Sequence, residues 1–153
     1  MRAFHFPLQN VLDHRERIEE LKKKEFALAQ QRVSLAEQKL FEIRNEFEHI
    51  QVSEGNQRRS GEGIDEMILY QQYKNGLQLK IKDQEFLIKK FQAEAGIKRK
   101  ALLKAKQDHQ AIINLKEKKM QQHKLGVSRE TQKFLDDIGQ KHFWREKFSR
   151  EDG

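Results

Sequence analysis

The sequence predicts an all-α protein, a long two-helix antiparallel coiled coil folded back as a helical hairpin. Apolar residues recur in alternating steps of three and four along two long stretches. A ten-residue polar run holding three of the eight glycines separates the stretches. Of the 153 residues, 36% are apolar and 36% charged, against roughly 45–50% apolar in an ordinary globular domain, so a multilayered core is not expected. Periodicity of this quality separates the chain from a disordered one of similar composition, and its length suits a single coiled-coil domain over residues 1–153.

The first helix is expected from about Pro7 to about Val52, with proline suited to a first turn where its missing N–H costs nothing. Its seam is Phe26, Ala29, Val33, Ala36, Leu40, Ile43, Phe47 and Ile50. Upstream, Leu8, Val11, Leu12, Ile18 and Leu21 keep helical spacing out of phase with that frame, because Glu19 and Lys22 would fill its sites. A stutter near residues 21–26 accounts for the mismatch. The loop is expected at about 53–63, where residues 54–63 read Glu-Gly-Asn-Gln-Arg-Arg-Ser-Gly-Glu-Gly.

A second helix follows over about 64–123, since the seam resumes at Met67, Tyr70, Lys74, Leu77, Ile81, Gln84, Ile88, Phe91, Ala95, Lys98, Leu102, Ala105, His109 and Ile112. Pivoting near residue 58 sets position 7 opposite about position 109 and leaves everything after about 112 without a partner. Residues 124–153 are a short helix or disordered. Lys-Leu-Gly-Val-Ser at 124–128 reads as a helix stop and restart, with Gly126 just past the end and Ser128 as N-cap. Beyond it Phe134, Leu135, Ile138, Phe143, Trp144 and Phe148 suit a partner, a membrane interface, or packing back on the open end of the coiled coil.

The chain carries 31 Lys+Arg against 24 Asp+Glu. Counted by segment, basic and acidic residues cancel over 1–53, 54–63, 64–97 and 126–153, so the whole excess lies in 98–125, with nine basic residues against Asp108 and Glu117. Repulsion between lysines at i,i+4 costs roughly 0.2–0.5 kcal/mol per pair, so a negative partner is implied: an acidic protein surface, nucleic acid or anionic lipid. The bland alternative is a solvated face that keeps the coiled coil soluble.

Catalytic chemistry finds no support. Without cysteine, disulfides, thiolate zinc sites and cysteine nucleophiles are excluded. Gly-x-Gly at 61–63 lacks the strand and the Lys-Ser/Thr of a phosphate loop. The six histidines include no i,i+3 or i,i+4 pair for a helical metal site. His109 at a seam position is a pH-sensitive core polar group or, more commonly for such a site, a residue that sets register or shields itself at a frayed seam. No catalytic, cofactor or metal residue is assigned, and the protein is expected not to be an enzyme. Neither a signal-peptide core nor a membrane span is visible, which suits a cytosolic protein.

At the amino terminus Phe4-x-Phe6-x-Leu8-x-x-Val11-Leu12-x-x-Arg15 leads into Glu16-Arg17-Ile18-Glu19-Glu20-Leu21 and on to the heptads. This resembles the flagellar export protein FliJ family, whose chains are about this long and begin with a similar Phe-x-Phe-x-Leu stretch before a two-helix coiled coil. Pro7 departs from the basic residue expected there, and the second half is matched by architecture alone. The resemblance implies a non-enzymatic component of the flagellar type III export apparatus at the cytoplasmic face of the inner membrane. Such a stalk enters the pore of the hexameric export ATPase, FliI, bridges it to the export gate protein FlhA, and assists chaperone and substrate delivery. Injectisome stalk proteins share the architecture.

A stalk read this way contacts its ring through flexible ammonium groups that make little geometric demand. The partner-binding candidates are therefore Phe4, Phe6, Leu8, Leu12 and Arg15 at the amino terminus. From the basic segment come Lys98, Arg99, Lys100, Lys104 and Lys106, and further along Lys116, Lys118 and Lys119. The aromatic residues at the amino terminus are also suited to covering the overhanging second helix or simply capping the seam. Two rival functions are a nucleic-acid-binding coiled coil and a structural spacer. Against the first, no aromatic residues interleave the lysines for base stacking; against the second, the seam fades past Ile112.

Overall fold

The computed structural model describes residues 2–61 and 63–151. They form two α-helices, α1 (Gln9–Arg59) and α2 (Ile64–Glu151), with no strand among the described residues. The chain divides into two compact units, Arg17–Lys106, and Met1–Glu16 with Gln107–Gly153.

The first of these units is an antiparallel helical hairpin. Every seam residue predicted for α1 from Phe26 to Ile50 is buried or half-buried. On α2, the predicted sites from Met67 to Ala105 are likewise turned inward, with Lys98 the exception. Ala36, Leu40 and Ile88 form the central cluster, against which Ile81 and Phe91 pack, and Leu77 is the most deeply buried side chain at 2% exposure. Covering a Leu or Ile side chain contributes about 1.5–3 kcal/mol, so the seam rather than surface ion pairs holds the hairpin. Lys98 extends to solvent and reaches Glu25 at 3.4 Å.

Helix α1 does not end at Val52 but continues through Glu54–Arg59, deep into the predicted loop. Glu54 falls on the next seam site and is buried to 5% exposure. Its carboxylate meets the Lys74 ammonium, itself at a seam site of α2, and Arg58 Nη2 at 2.8 Å. An ion pair thus takes the place of an apolar contact, which a composition-based reading of residues 54–63 does not detect. The reversal is short. Ser60 N–H bonds back to the carbonyls of Asn56 and Gln57, and Gly61 N–H to that of Arg58. Gly61 sits at φ +84°, the left-handed position that closes a helix C-terminus without a Cβ penalty. Glu62 of the predicted loop lies outside the described residues.

The stutter expected at 21–26 is absent. Glu19 and Lys22 occupy the inward sites of the same frame, half-buried, while Leu21 is 54% exposed. Lys22 reaches Glu25 at 3.4 Å.

In the other unit, residues 2–16 lie along the 108–127 stretch of α2. His123 Nε2–H donates to the Arg2 carbonyl at 3.1 Å, Lys116 Nζ donates to Gln9 Oε1 at 2.8 Å, and Arg15 pairs with Asp108 at 3.4 Å. Position 9 therefore meets position 116, whereas the expected pivot set position 7 against about 109. Residues 113–123 accordingly have a partner. Half-buried in this stretch are Asp108, His109, Ile113 and Leu115 together with the line Ile112, Lys116, Met120, His123 and Val127. Two successive steps of four place a stutter here, in α2.

Helix α2 runs without interruption through residues 124–128 to Glu151, past the expected end at about 123. Gly126 is helical, and no described residue other than Gly61 has positive φ. Nothing stands within 4 Å of a Cβ built on Gly126, so the helix continues there at the ordinary conformational cost of glycine, about 1 kcal/mol. Among the described residues, 131–151 are all exposed, including the tail's apolar side chains. Residues 152 and 153, the end of the expected tail, lie outside the described residues.

Candidate functional site

The amino-terminal candidates belong to the unit built from residues 2–16 and 107–151. Pro7 and Leu8 form a turn ahead of α1, and the Gln9 N–H bonds to the Phe6 carbonyl at 3.1 Å. That turn points Phe6 inward, where it is buried together with Leu12. Phe4 is half-buried with its ring tilted against His123, centroids 5.6 Å apart, and Leu8 is exposed. Phe6 and Leu12 are thus committed to intramolecular packing, as is Lys116 through its bond to Gln9. Arg15 is partly neutralised by Asp108. Lys118 and Lys119 are exposed and form no ion pair among the described residues.

In the hairpin unit, Arg99, Lys100, Lys104 and Lys106 are exposed with no carboxylate partner among the described residues. Lys98 alone of this group is drawn to an acid, Glu25. Four unpaired cations within eight positions therefore project from one turn of α2 to the next, an arrangement that attracts negative surface without fixing its geometry.

His123 escaped the sequence reading, although it organises the amino-terminal contact. The seam carried past Ile112 by its own alternating steps, to 116, 119 and 123, would have found it.

An open groove of about 510 Å³ lies beside the reversal of the hairpin, lined by Ile50, Gln57, Glu66, Leu69, Tyr70 and Tyr73. Tyr73 Oη donates to Glu46, a bond that with burial and the nearby negative charge raises the phenol's pKa. Glu66 supplies a carboxylate to its lining. Among the described residues no group of three His, Asp or Glu side chains stands close enough to hold a metal ion. No helix among them is long and apolar enough to cross a membrane.

The family described as "Flagellar FliJ protein" matches residues 4–148, nearly the entire chain. No curated protein and no solved structure gives a significant match.

Proposed function

The chain belongs to the flagellar FliJ family, which gives it a flagellar export-related role, and we propose that it serves there as a non-enzymatic coiled-coil stalk. In this reading it binds the ring of the hexameric export ATPase, FliI, links that ring to the gate protein FlhA, and assists delivery of chaperones and substrates. It works in the cytoplasm, peripherally at the inner membrane. The supporting observation is the exposed set Arg99, Lys100, Lys104 and Lys106, which meets no carboxylate among the described residues. Helix α2 presents these groups on a stiff scaffold, and acidic loops of a ring are a complementary surface. Lys118 and Lys119 add to the basic contact. Phe4, Phe6, Leu8, Leu12 and Arg15 contribute by holding the amino terminus on α2 rather than by touching the ring directly. Nucleic acid is the weaker reading, because this exposed stretch offers no aromatic platform for bases.

The test is ATP hydrolysis by the export ATPase across a salt series. Reversing Lys104, Lys106, Lys118 and Lys119 to Glu turns residues 98–125 from nine basic and two acidic side chains into five and six. Stimulation is expected to fall to the unstimulated rate, while replacing Arg58 and Arg59 by Ala leaves it intact. Salt should weaken the wild-type effect, since exposed attractions are screened over about 8–10 Å at physiological strength. Full stimulation by the charge-reversed chain refutes the basic contact. Capture of FlhA by the intact chain tests the gate link separately.

A further inference from the structure

Residues 64–97 are electrically neutral in sequence, with five basic and five acidic residues, but the hairpin sorts these charges by direction. Asp65 and Glu66 stand in the first turn of α2, where carboxylates suit the helix dipole. Glu85 is held by Arg44 at 2.8 Å, Glu94 is half-buried beside the seam, and Lys74 is consumed by Glu54. What remains on the side of α2 turned away from α1 is Leu79, Lys82, Phe86, Lys89, Lys90, Ala93 and Ile97. Lys82, Lys89 and Lys90 are exposed and have no ion-pair partner among the described residues. Phe86 is 73% exposed, Ile97 67% and Leu79 63%. Asp83 lines a groove together with Lys80 at the edge of this face. The same helix therefore has a second apolar stripe, flanked by ammonium groups, directly behind its seam.

We propose that this outward face of α2, from Leu79 to Ile97, binds an anionic lipid surface. Charge selects the partner, since three unpaired lysines are complementary to acidic headgroups and their stems allow the ammonium groups to spread among them. Shape selects it too. The face is one side of a single helix and therefore convex, as in surface-lying membrane helices, and the hairpin's grooves at Ile50–Tyr73, Lys39–Gln84 and Arg32–Phe91 are lined by other residues. Phe86 and the two aliphatic residues enter the acyl boundary while the lysines stay at headgroup level. No residue of this face belongs to the basic segment assigned to the ATPase, so the two contacts are separable.

Co-sedimentation of the full chain with vesicles tests this directly, using phosphatidylglycerol in phosphatidylcholine against phosphatidylcholine alone. Binding is expected only to the anionic vesicles. The triple variant Lys82→Glu/Lys89→Glu/Lys90→Glu should bind roughly 100-fold more weakly, whereas the Lys104/Lys106/Lys118/Lys119 reversal should retain most of the affinity. In a Phe86→Trp chain with Trp144→Phe, tryptophan emission should shift to the blue on the anionic vesicles and be quenched by brominated lipid. Circular dichroism confirms that each variant keeps its helicity, and ATPase stimulation without lipid reports on the stalk reading independently. Absence of binding to anionic vesicles overturns the proposal and leaves an acidic protein surface as the occupant. Equal binding to neutral vesicles, full binding by the folded triple variant, or emission from the Phe86→Trp chain that brominated lipid leaves unquenched likewise overturns it.

Discussion

Gln84 donates its side-chain amide to the backbone carbonyl of Ala36 across the hairpin at 2.9 Å, with both residues buried. The bond uses the second lone pair of a carbonyl already engaged in α1. It exists because alanine leaves that carbonyl uncovered; at a bulkier seam site such as Ile43 the side chain would screen it. A polar residue in the seam thus marks one alignment of the helices over its neighbours.

Gln84→Leu is expected to change stability by less than about 1.5 kcal/mol, since an apolar group replaces a satisfied polar one. Its effect should appear in alignment instead. Spin labels at Gln38 and Lys82 should give one narrow distance in the parent and a broad or split distribution in the variant. An unchanged width would refute the register role.

Leu40→Asp places a charge in the central cluster with Ala36 and Ile88 and should cost about 3 kcal/mol or more. Gln38→Ala, on the exposed side of the same helix, should shift stability by no more than about 0.5 kcal/mol. Urea denaturation followed by circular dichroism separates the two. Similar midpoints would mean that the inward face has been misassigned.

Gly126→Ala discriminates between an uninterrupted α2 and a helix that ends before it. In a continuous helix, with open space around the added methyl group, the substitution should stabilise by about 0.5–1 kcal/mol. At a left-handed helix end it would destabilise instead. The sign of the melting shift decides.

Acid should loosen the reversal of the hairpin through Glu54. The hydrogen bond from Lys74 holds its carboxyl below the usual carboxylate range, aided by the charges of Lys74 and Arg58 and opposed by desolvation. A depressed folded pKa means that the stabilisation is present above the unfolded value of about 4.3 and disappears as pH falls through the lower folded value. Glu54→Gln should therefore be less stable than the parent at neutral pH, with the difference shrinking as the solution is acidified below about pH 4. Denaturation midpoints for both chains across that range provide the check, and a constant difference would contradict the linkage.

The two helices, their antiparallel return and nearly every inward residue from Phe26 to Ala105 follow from spacing alone, because a heptad repeat states locally which side of a helix must be covered. The lysine excess of residues 98–125 is equally plain in sequence, as is the Phe-x-Phe-x-Leu start that points to the family. Whether a polar residue can hold a seam site is different, since it depends on what the opposing helix presents. Glu54 continues α1 only because Lys74 stands across from it, and Lys22 turns inward beside Glu25, which Lys98 of the opposing helix also reaches. Gly126 stays helical although its neighbours read as a stop. The amino-terminal segment meets residues 108–123 in an alignment that no local spacing specifies. Charges add along a sequence but segregate by angle on a helix, so the neutral count over residues 64–97 conceals Lys82, Lys89 and Lys90 on one face. Periodicity is a property of one strand of sequence, whereas pairing across the seam and the sorting of surface charge belong to two helices in contact.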